Sequence, residues 1–330
     1  MMKELNAQDI KKHTTLHWNS HTPAQWSEYS ARVQRMNLLQ SQHYLQAMSR
    51  LNYQHISKGL ITVAGNAAGI VNVLEAGLLK NVVHGVILDR GPLWFDGYGS
   101  PEHFDAFVAA FMQQYPKRIG RRIRFIPEIK DTPDMQQIMQ KHGYRAKAKS
   151  GYETIWLDLK PSLDNIRKNL HSKWRNALNQ SERKPLKLVW DTSGISSWHF
   201  KWLMKQYLRD KSVRKYDGPS LKTMLALGES FSRGKNMMIG CALLDNNPIA
   251  GILLLIHGSS ATYQIGYTSG AGRENRAHYV LLWAAIEQLK KQNVQELDLG
   301  GVNAKDAEGV MRFKKRMGRK IEKTLGLYYQ

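Results

Sequence analysis

The sequence is poor in cysteine, which limits the kinds of protein it can be. Of its 330 residues only Cys241 is a cysteine, so a disulfide within one chain is excluded and a reducing compartment such as the cytoplasm is expected. Cys241 lies in the apolar run Met237–Leu244. We therefore predict a buried core thiol at this position and not a catalytic nucleophile.

Long apolar runs are also missing. The best candidate, Ile249–Ile256, has the length of a β-strand, whereas a transmembrane helix needs about 20 apolar residues. The segment Met1–Ser20 is polar and contains His and Lys, so it does not resemble a secretory signal. We expect a cytoplasmic protein without a transmembrane segment, whose membrane contact, if any, is peripheral and at the inner membrane surface.

Motifs of several other enzyme classes are absent. The 12 histidines are spread along the chain, and no paired-cysteine spacing indicates a metal site. The sequence has no Gly-x-Ser-x-Gly elbow and no Walker-type loop, which argues against α/β-hydrolases and nucleotide hydrolases. We expect no metal and no tightly bound cofactor.

Acidic residues are scarce as well. The chain has 27 Asp and Glu against 48 Lys and Arg, giving a formal net charge of +21 and a pI near 9.9. Such a balance favours polyanionic partners, namely nucleic acid, phosphorylated substrates or an anionic membrane surface. A generally solvated basic surface would give the same composition.

The sequence does contain strand and helix patterns that repeat in a similar order. A hydrophobic content of 42% in 330 residues is enough for a substantial core and suggests about two domains. We expect an N-terminal lead at residues 1–40, a first domain at residues 41–155 and a second at residues 156–330. The patterns predict an α+β fold in which each domain has a mostly antiparallel sheet flanked by helices.

The predicted elements follow from apolar periodicity and from turn residues. In the first domain the predicted helices are 41–52, 101–115 and 135–142, and the predicted strands are 56–64, 69–78, 85–88, 122–129 and 152–159. In the second domain the predicted helices are 163–183, 196–210, 221–234 and 278–291, and the predicted strands are 186–190, 237–245, 249–257, 260–268, 296–299 and 321–329.

Five short motifs, found in the expected order along residues 40–330, resemble those of the Fem-type aminoacyl-tRNA-dependent peptidyltransferases. They are the turn Asp89-Arg90-Gly91-Pro92-Leu93-Trp94, the helix Leu170–Asn179, the segment Ala277–Ile286, the strand end Asp298-Leu299-Gly300-Gly301 and the pair Phe313-Lys314. The resemblance implies two GNAT-like domains, the fold of acyl-CoA N-acyltransferases. It also implies that an amino acid is transferred from aminoacyl-tRNA, as donor co-substrate, to an amine of a peptidoglycan or related cell-envelope precursor.

Two other functions stay open. Relatives in the wider superfamily use acyl-CoA, and Gly270-Ala271-Gly272-Arg273, which lies between a predicted strand and a predicted helix, partly matches the pyrophosphate loop of coenzyme-A-dependent enzymes. An acyl-CoA-dependent N-acyltransferase is therefore the alternative. The third possibility is a non-catalytic RNA-binding protein.

The catalytic candidates are Lys314 and Asp298. Aminolysis of an ester or thioester forms a tetrahedral oxyanion and releases a ribose oxygen or a thiolate, so a cation at that place is useful. Lys314 matches the family's Phe-Lys pair and is the candidate for this role, whereas by spacing alone it belongs to a solvated basic run with Lys315 and Arg316. Asp298 is a candidate for orienting the amine or accepting its proton through water, or it is a turn or capping residue.

Further residues are candidates for substrate binding. Tyr263 and Tyr267 alternate on one predicted strand, so both phenols should face the same side and line a cleft, or pack within the sheet. Gly300 and Gly301 allow close approach of a ligand. The remaining candidates are Arg209, Arg214 and Tyr216, near a helix exit where family members contact the phosphates of the precursor, Arg90, beside an anion or in an ordinary turn, and Phe313, whose ordinary role is packing.

Basic clusters suggest where RNA would bind. They are Lys117–Arg124, Arg145–Lys149 and Lys168–Lys187, and each is also compatible with a solvated face. The last cluster contains the RNA-binding candidates Lys173, Arg175, Arg183 and Lys184. With Trp174 among them, phosphate contacts and stacking would bind tRNA without reading its bases. The expected partners are therefore tRNA and a phosphorylated or lipid-linked precursor.

Overall fold

The computed structural model describes residues 6–147, 151–302, 308–318 and 320–330. Its helices in chain order are α1 Ala7–Lys12, α2 Pro23–Ala31, α3 Gln42–Asn52, α4 Pro101–Gln114, α5 Pro133–Lys141, α6 Leu163–Asn169, α7 Ser172–Ser181, α8 Trp198–Arg214, α9 Leu221–Ser232, α10 Gly270–Glu274, α11 Ala277–Lys291 and α12 Glu308–Gly318. Short 3-10 turns lie at Leu38–Gln40 and Gly194–Ser196. Its strands are β1 Thr14–Trp18, β2 His55–Val63, β3 Asn66–Leu78, β4 Val83–Gly91, β5 Leu93–Trp94, β6 Arg121–Pro127, β7 Arg145–Ala146, β8 Glu153–Asp158, β9 Lys187–Asp191, β10 Met237–Leu244, β11 Asn247–His257, β12 Ser260–Thr268, β13 Glu296–Gly301, β14 Glu322–Lys323 and β15 Tyr328–Tyr329.

Two compact units make up the chain. The first comprises residues 1–41, 52–152 and 323–330, and the second comprises residues 42–51 and 153–322. Both ends of the chain thus belong to the first unit. The domain boundaries expected at residues 40 and 155 stay a prediction.

The first unit contains an eight-stranded sheet with the order β1-β2-β3-β4-β6-β15-β7, in which β5 pairs with β3. Strands β4 and β6 are parallel, and β1 to β4 form an antiparallel meander. Helix α4 begins where Ser100 caps the backbone N–H of His103 and Pro101 takes the first turn. Its phenylalanines at positions 104, 107 and 111 are fully buried in the core of this unit, as their helical spacing predicts.

The second unit contains a seven-stranded sheet with the order β14-β8-β13-β12-β11-β10-β9. Strand β11 lies near the centre, and the run Ile249–Ile256 that forms it is buried throughout. Helices α7, α11 and α12 supply Trp174, Leu281 and Met317 to the core on this sheet. The predicted α+β fold class is confirmed, and so is the prediction of a buried thiol at Cys241, whose pKa burial raises to about 12.

Four predictions about elements differ from the structure. The predicted strand 152–159, placed in the first domain, is β8 of the second sheet. The predicted helix 163–183 is two helices, because Leu170 and His171 are extended and the His171 side chain caps the backbone N–H of Lys173 at 3.2 Å. The predicted strand 321–329 is split between β14 in the second sheet and β15 in the first. Residues 14–18, inside the predicted lead, form β1 against β2. Among the described residues, no helix is long and apolar enough to cross a membrane.

Candidate active site

Strands β12 and β13 begin as a parallel pair and then separate. Their register ends at Thr262 opposite Asp298. Beyond this pair β12 remains paired with β11, and β13 remains paired with β8 through a register shift that places Gly301 opposite Thr154. Tyr263 on one strand and the Gly300–Gly301 turn on the other therefore lie where this ladder ends, and we call this place the opening between β12 and β13. Gly300 takes a left-handed φ of 74° there, which glycine adopts without strain.

Lys314 of α12 reaches this opening. Its side chain is 7% exposed, and its Nζ donates to the Gly301 carbonyl oxygen at 3.0 Å and lies 5.6 Å from the centre of the Tyr263 ring. Burial lowers the pKa of Lys314 to about 8, although the charge of Asp298 opposes this change. Lys314 is thus separate from the solvated face to which the exposed Lys315 belongs. A buried ammonium group beside an opening is suited to stabilising developing negative charge.

Asp298 holds the turn that Lys314 contacts. Its side chain is 3% exposed, and its Oδ1 accepts hydrogen bonds from the Gly300 backbone N–H at 2.8 Å and from the Thr154 hydroxyl. The Thr154 hydroxyl also lies 3.0 Å from the Gly300 carbonyl oxygen. These contacts give Asp298 a positioning role, in which it fixes the backbone whose Gly301 carbonyl receives Lys314.

Tyr263 is within hydrogen-bond distance of His278. The Tyr263 hydroxyl lies 2.8 Å from His278 Nε2 at the start of α11. Burial, with a smaller effect of the Lys314 charge, lowers the pKa of His278 to about 4, and burial raises the pKa of Tyr263 above its usual value. Both side chains are therefore neutral near pH 7. Gly266 leaves the space for this pair, since a Cβ there would lie 1.6 Å from the Tyr263 hydroxyl oxygen.

A β-bulge separates Tyr263 from Tyr267. Two successive residues of β11 pair with Ile265 and Tyr263, so β12 carries one extra residue between them, and an extra residue reverses the alternation of side chains. Tyr263 accordingly meets His278, whereas the Tyr267 ring lies 5.9 Å from the Trp202 ring of α8. The prediction that both phenols face the same side of the sheet is wrong.

Phe313 belongs to an aromatic cluster that packs α12 against α7 and α11. Its ring centroid lies 5.8 Å from Trp174, 5.0 Å from Tyr279 and 5.6 Å from His278. Because Trp174 is fully buried in this cluster, the interpretation of Trp174 as a stacking platform for RNA bases is wrong. The cluster fixes the position of the next residue along the helix, Lys314.

A basic pocket lies on the outer side of α12, and we call it the α6–α7–α12 pocket. Its volume is about 730 Å³. Its lining residues are Lys168, Leu170, His171, Ser172, Arg175, Met311, Arg312, Lys315 and Arg316, with no carboxylate among them. The two sides are joined by the backbone, since the His171 N–H donates to the Arg316 carbonyl oxygen at 3.0 Å. Arg175 is anchored by hydrogen bonds to the Lys168 and Leu170 carbonyl oxygens at 2.9 and 3.2 Å. The pocket is therefore a cavity lined by cations, in which hydrogen bonds to backbone carbonyl oxygens hold Arg175 in place.

Other predicted RNA-binding residues lie outside this pocket's lining. Lys173, Arg183 and Lys184 are exposed on or just after α7, so only Arg175 of the four lines the pocket. Positions 148 and 149 of the basic cluster 145–149 lie outside the described residues.

The predicted phosphate-binding residues of the second unit are partly engaged. Arg209 is exposed on α8, and Arg214 Nε forms an ion pair with Asp210 at 2.8 Å. Burial, followed by the nearby Asp210 charge, raises the pKa of Tyr216 to about 12. The Tyr216 ring centroid lies 6.3 Å from that of Tyr207 of α8.

Arg90 lies in the first unit, where it forms a buried ion pair. Its guanidinium donates to Glu128, with Nη2 2.7 Å from Oε1, and lies 4.4 Å from the Tyr152 ring centre. These contacts give Arg90 a structural role in its turn.

The Gly270–Arg273 segment forms the short helix α10. The Gly272 N–H donates to Ser269 Oγ at 3.1 Å, and the Arg273 N–H donates to the Ser269 carbonyl oxygen at 3.0 Å. A Cβ at Gly272 would lie 2.4 Å from the Ile249 carbonyl oxygen, so this glycine serves close packing of α10 on β11. The segment is thus a capped helix, and its resemblance to a pyrophosphate loop stays a prediction.

Two residues of the site were missed in the sequence. Thr154 is 144 residues from its partner Asp298, and nothing near it in the sequence indicates the contact. His278 stands at the start of the motif Ala277–Ile286 and of the predicted helix 278–291, and this placement was the available signal. In the described residues no group of three or more His, Cys, Asp or Glu could hold a metal ion, and the absence of a metal stays a prediction.

We expect Thr154→Val to lower the free energy of unfolding and to weaken the hydrogen bonding that holds the Gly300–Gly301 turn. Valine keeps the shape of threonine but removes the donor to Asp298, and an incompletely bonded buried carboxylate costs about 1–3 kcal/mol. Chemical denaturation of the purified variant measures this loss. Thr154→Ser retains the hydroxyl and is the control, and equal stability of the Val variant and wild type would show that the hydrogen bond is unimportant.

Comparisons with known proteins agree with this architecture. Residues 164–315 match the family model of the Acetyltransferase (GNAT) domain. The crystal structure of FemX has a TM-score of 0.74 at 14% identity, covering 95% of this chain and 96% of that one. A tandem GNAT protein from the clavulanic acid biosynthesis pathway has a TM-score of 0.51 at 12% identity, covering 96% and 98%. The C-terminal domain of a putative lysylphosphatidylglycerol synthetase from Agrobacterium fabrum has a TM-score of 0.50 at 14% identity, covering 94% and 93%. No curated protein sequence matches the chain.

Apart from β8, the family match covers the elements that build the site. It begins in α6 and ends in α12, one residue after Lys314. The likeness to FemX and to a tandem GNAT protein extends over almost the whole chain and confirms the predicted pair of GNAT-like domains. The chain therefore has the fold of two GNAT-like domains, the match of residues 164–315 to the Acetyltransferase (GNAT) domain supports an acyltransferase, and the likeness in fold to FemX agrees with the Fem-type resemblance predicted from five short motifs.

Proposed function

We propose that the protein transfers an amino acid from aminoacyl-tRNA to an amine of a peptidoglycan or related cell-envelope precursor and forms an amide. The observation that carries this proposal is the buried Lys314 ammonium at the opening between β12 and β13. It belongs to one of the five motifs on which the Fem-type resemblance rests, and the remaining motifs of the second unit supply its surroundings.

The reaction needs stabilisation of charge more than it needs an acid or a base. The amine attacks the ester carbonyl carbon, the carbonyl oxygen becomes an oxyanion, and the bond to the ribose oxygen then breaks. The amine proton passes to solvent or to the released ribose oxygen. The Lys314 ammonium stabilises the oxyanion or the leaving oxygen, and it acts in surroundings that exclude much of the water. His278, with its pKa lowered to about 4, is too weak a base for the attacking amine, so its role is to hold Tyr263.

Asp298 and the Gly300–Gly301 turn position Lys314. The turn presents the Gly301 carbonyl to Nζ, and Asp298 fixes the turn through the Gly300 N–H. The Tyr263 ring lies beside the ammonium, Phe313 packs the helix that carries it, and Tyr216, Arg209 and Arg214 are assigned to the acceptor substrate. Tyr267 and Arg90 have packing roles in this proposal.

The α6–α7–α12 pocket is assigned to phosphates of the donor. It lies on the outer side of the helix that carries Lys314, and its cationic lining includes Arg175 and Lys315. Phosphodiesters of the tRNA acceptor end are multiply charged and match such a lining. Lys173, Arg183 and Lys184 extend the basic surface along α7 and contribute binding that does not depend on sequence.

Acyl-CoA-dependent N-acylation is the second candidate, and the description of the matching family model favours it. Coenzyme A also carries phosphates and would fit a cationic pocket. In the segment that resembles a pyrophosphate loop, helix α10, the Gly272 N–H already donates to Ser269 Oγ, which leaves one backbone donor fewer for a phosphate. A purely RNA-binding role is disfavoured because the second unit carries an acyltransferase domain.

Direct binding separates the two donors. Purified protein is titrated with aminoacyl-tRNA, with the same tRNA lacking its amino acid, and with an acyl-CoA, all at physiological salt. The proposal predicts tighter binding of the charged tRNA than of the uncharged form, with weak binding of acyl-CoA. Tight acyl-CoA binding together with equal, salt-sensitive binding of both tRNA forms would favour the second candidate.

A further inference from the structure

The first unit presents an unusual group of exposed aliphatic side chains at one end of its sheet. The turn between β3 and β4 and the loop before β6 contain Leu78, Leu79, Val82, Val83 and Ile119. Leu79 is 77% exposed and Ile119 is 99% exposed. Single exposed apolar residues are ordinary, whereas a contiguous group marks an interaction surface. We call this group, with the basic residues around it, the hairpin-tip surface.

The two segments form one built surface. Arg118 lies in the loop, and its Nη1 donates to the Val82 carbonyl oxygen at 2.9 Å, while its Nη2 donates to the Asn81 carbonyl oxygen. The His84 backbone N–H donates to the Gly120 carbonyl oxygen at 2.8 Å. A Cβ at Gly120 would lie only 2.2 Å from the Val82 carbonyl oxygen, so glycine is needed for this close approach.

The hairpin turn itself holds a defined shape. Leu79, Lys80 and Asn81 all have left-handed φ values, between 51° and 67°. The Val82 N–H donates to the Leu79 carbonyl oxygen at 3.2 Å. Leu79 is therefore presented to solvent by a hydrogen-bonded turn, at a position where a polar residue would be the ordinary choice.

Cations surround the aliphatic group, and acids are absent from both segments. Lys80, Lys117 and Arg122 are exposed. Neither residues 76–88 nor residues 113–127 contain an Asp or Glu. A second copy of this chain would bring the same cations and would be repelled. RNA is bound through phosphates and stacked aromatic rings, and aliphatic tips add nothing to such an interface. Exposed aliphatic side chains surrounded by cations suit binding to an anionic lipid membrane. The aliphatic side chains enter the boundary between headgroups and acyl chains, and the cations contact the anionic headgroups.

We propose that the hairpin-tip surface docks the protein peripherally on anionic lipid membranes, with Leu79 and Ile119 inserting among the headgroups and Lys80, Lys117 and Arg122 contacting lipid phosphates. This docking is separate from the chemistry of the second unit. It stands whether the acyl donor is aminoacyl-tRNA or acyl-CoA.

Vesicle co-sedimentation tests the docking surface. The full chain is mixed with vesicles of phosphatidylcholine containing phosphatidylglycerol and with vesicles of phosphatidylcholine alone. We expect binding to the anionic vesicles, part of which persists at high salt because the aliphatic tips are not screened. Leu79→Ser/Ile119→Ser should weaken this binding by about tenfold or more, since two aliphatic side chains no longer leave water.

A control variant and the unfolding temperatures show whether a loss of vesicle binding is specific to the hairpin-tip surface. Val213→Ser/Leu221→Ser removes exposed aliphatic side chains elsewhere and should bind vesicles as wild type does, and both double variants should unfold at the wild-type temperature. Equal vesicle binding by the hairpin-tip variant and wild type would overturn the proposal. Absence of vesicle binding together with loss of RNA affinity in the hairpin-tip variant would also overturn it and would assign the surface to RNA.

Discussion

Lys314→Met is expected to reduce acyl transfer by about 10²–10³-fold, the effect of removing one preorganised group that stabilises an oxyanion. Methionine has a similar length but no charge, so the change removes the ammonium and leaves the volume of the site. The loss should appear in kcat, because the charge on the carbonyl oxygen develops only in the transition state. Steady-state kinetics with saturating donor measures it. The same change at the exposed Lys291 is the control and should leave the rate unaltered.

The same variant should be more stable than wild type near pH 7. A pKa lowered from 10.5 to about 8 corresponds to roughly 3 kcal/mol spent on burying the charge. Loss of the hydrogen bond to the Gly301 carbonyl oxygen offsets about 1 kcal/mol of this. A net gain of about 1–2 kcal/mol is therefore expected for Lys314→Met, measured by chemical denaturation. Loss of activity together with a gain in stability is the result expected for a catalytic lysine whose buried charge destabilises the folded protein.

The pH dependence of that gain follows from the direction of the pKa change. Between about pH 8 and pH 10.5 the unfolded lysine keeps its proton while the buried one has lost it, so the unfolded state binds more protons. The contribution of Lys314 to the free energy of unfolding of the wild type therefore becomes less unfavourable as pH rises across this window. The difference in stability between Lys314→Met and wild type should shrink accordingly. A Lys314→Met variant that is less stable than wild type near pH 7 would instead assign a structural role to the lysine.

Reversing charge in the α6–α7–α12 pocket has the second largest expected effect. Arg175→Glu/Lys315→Glu replaces two cations of the lining, and each lost charged contact with a phosphate is worth about 1.5–3 kcal/mol. The affinity for aminoacyl-tRNA should fall by about 100-fold or more. The dependence of the remaining affinity on salt should also become less steep, since fewer counterions are released. Filter binding across salt concentrations measures both quantities.

A control of equal charge separates the pocket from the general basic surface. Lys205→Glu/Lys222→Glu makes the same change in net charge at exposed positions of α8 and α9. This variant should lose affinity only slightly. Equal losses in the two double variants would mean that tRNA responds to overall charge and that the pocket has no special part.

The sequence predicts those parts of the fold that depend on local patterns. The helical spacing of the phenylalanines in α4, the buried run of β11 and the buried position of Cys241 are all local properties, and the structure shows each of them. The strand end at Asp298–Gly301 and the Phe313-Lys314 pair were recognisable as motifs, and the structure brings them together at one opening.

Features that depend on distant pairing were not predictable. The β-bulge in β12 is set by its register against β11, and it turns Tyr267 away from Tyr263. The hydrogen bond from Thr154 to Asp298 joins residues far apart in the sequence. Trp174 stands among cations in the sequence, yet tertiary packing against Phe313 buries it. In each case long-range contacts decide the outcome, and neither periodicity nor composition records them.

The most direct test of the central claim is to follow a labelled group into product. One amine-bearing peptidoglycan precursor is offered to the wild-type protein with labelled aminoacyl-tRNA, and in a parallel reaction with a labelled acyl-CoA, and amide formation is measured. We predict labelled amide from aminoacyl-tRNA and none from acyl-CoA. Amide formation from acyl-CoA alone would contradict the claim and would place the protein among the coenzyme-A-dependent acyltransferases.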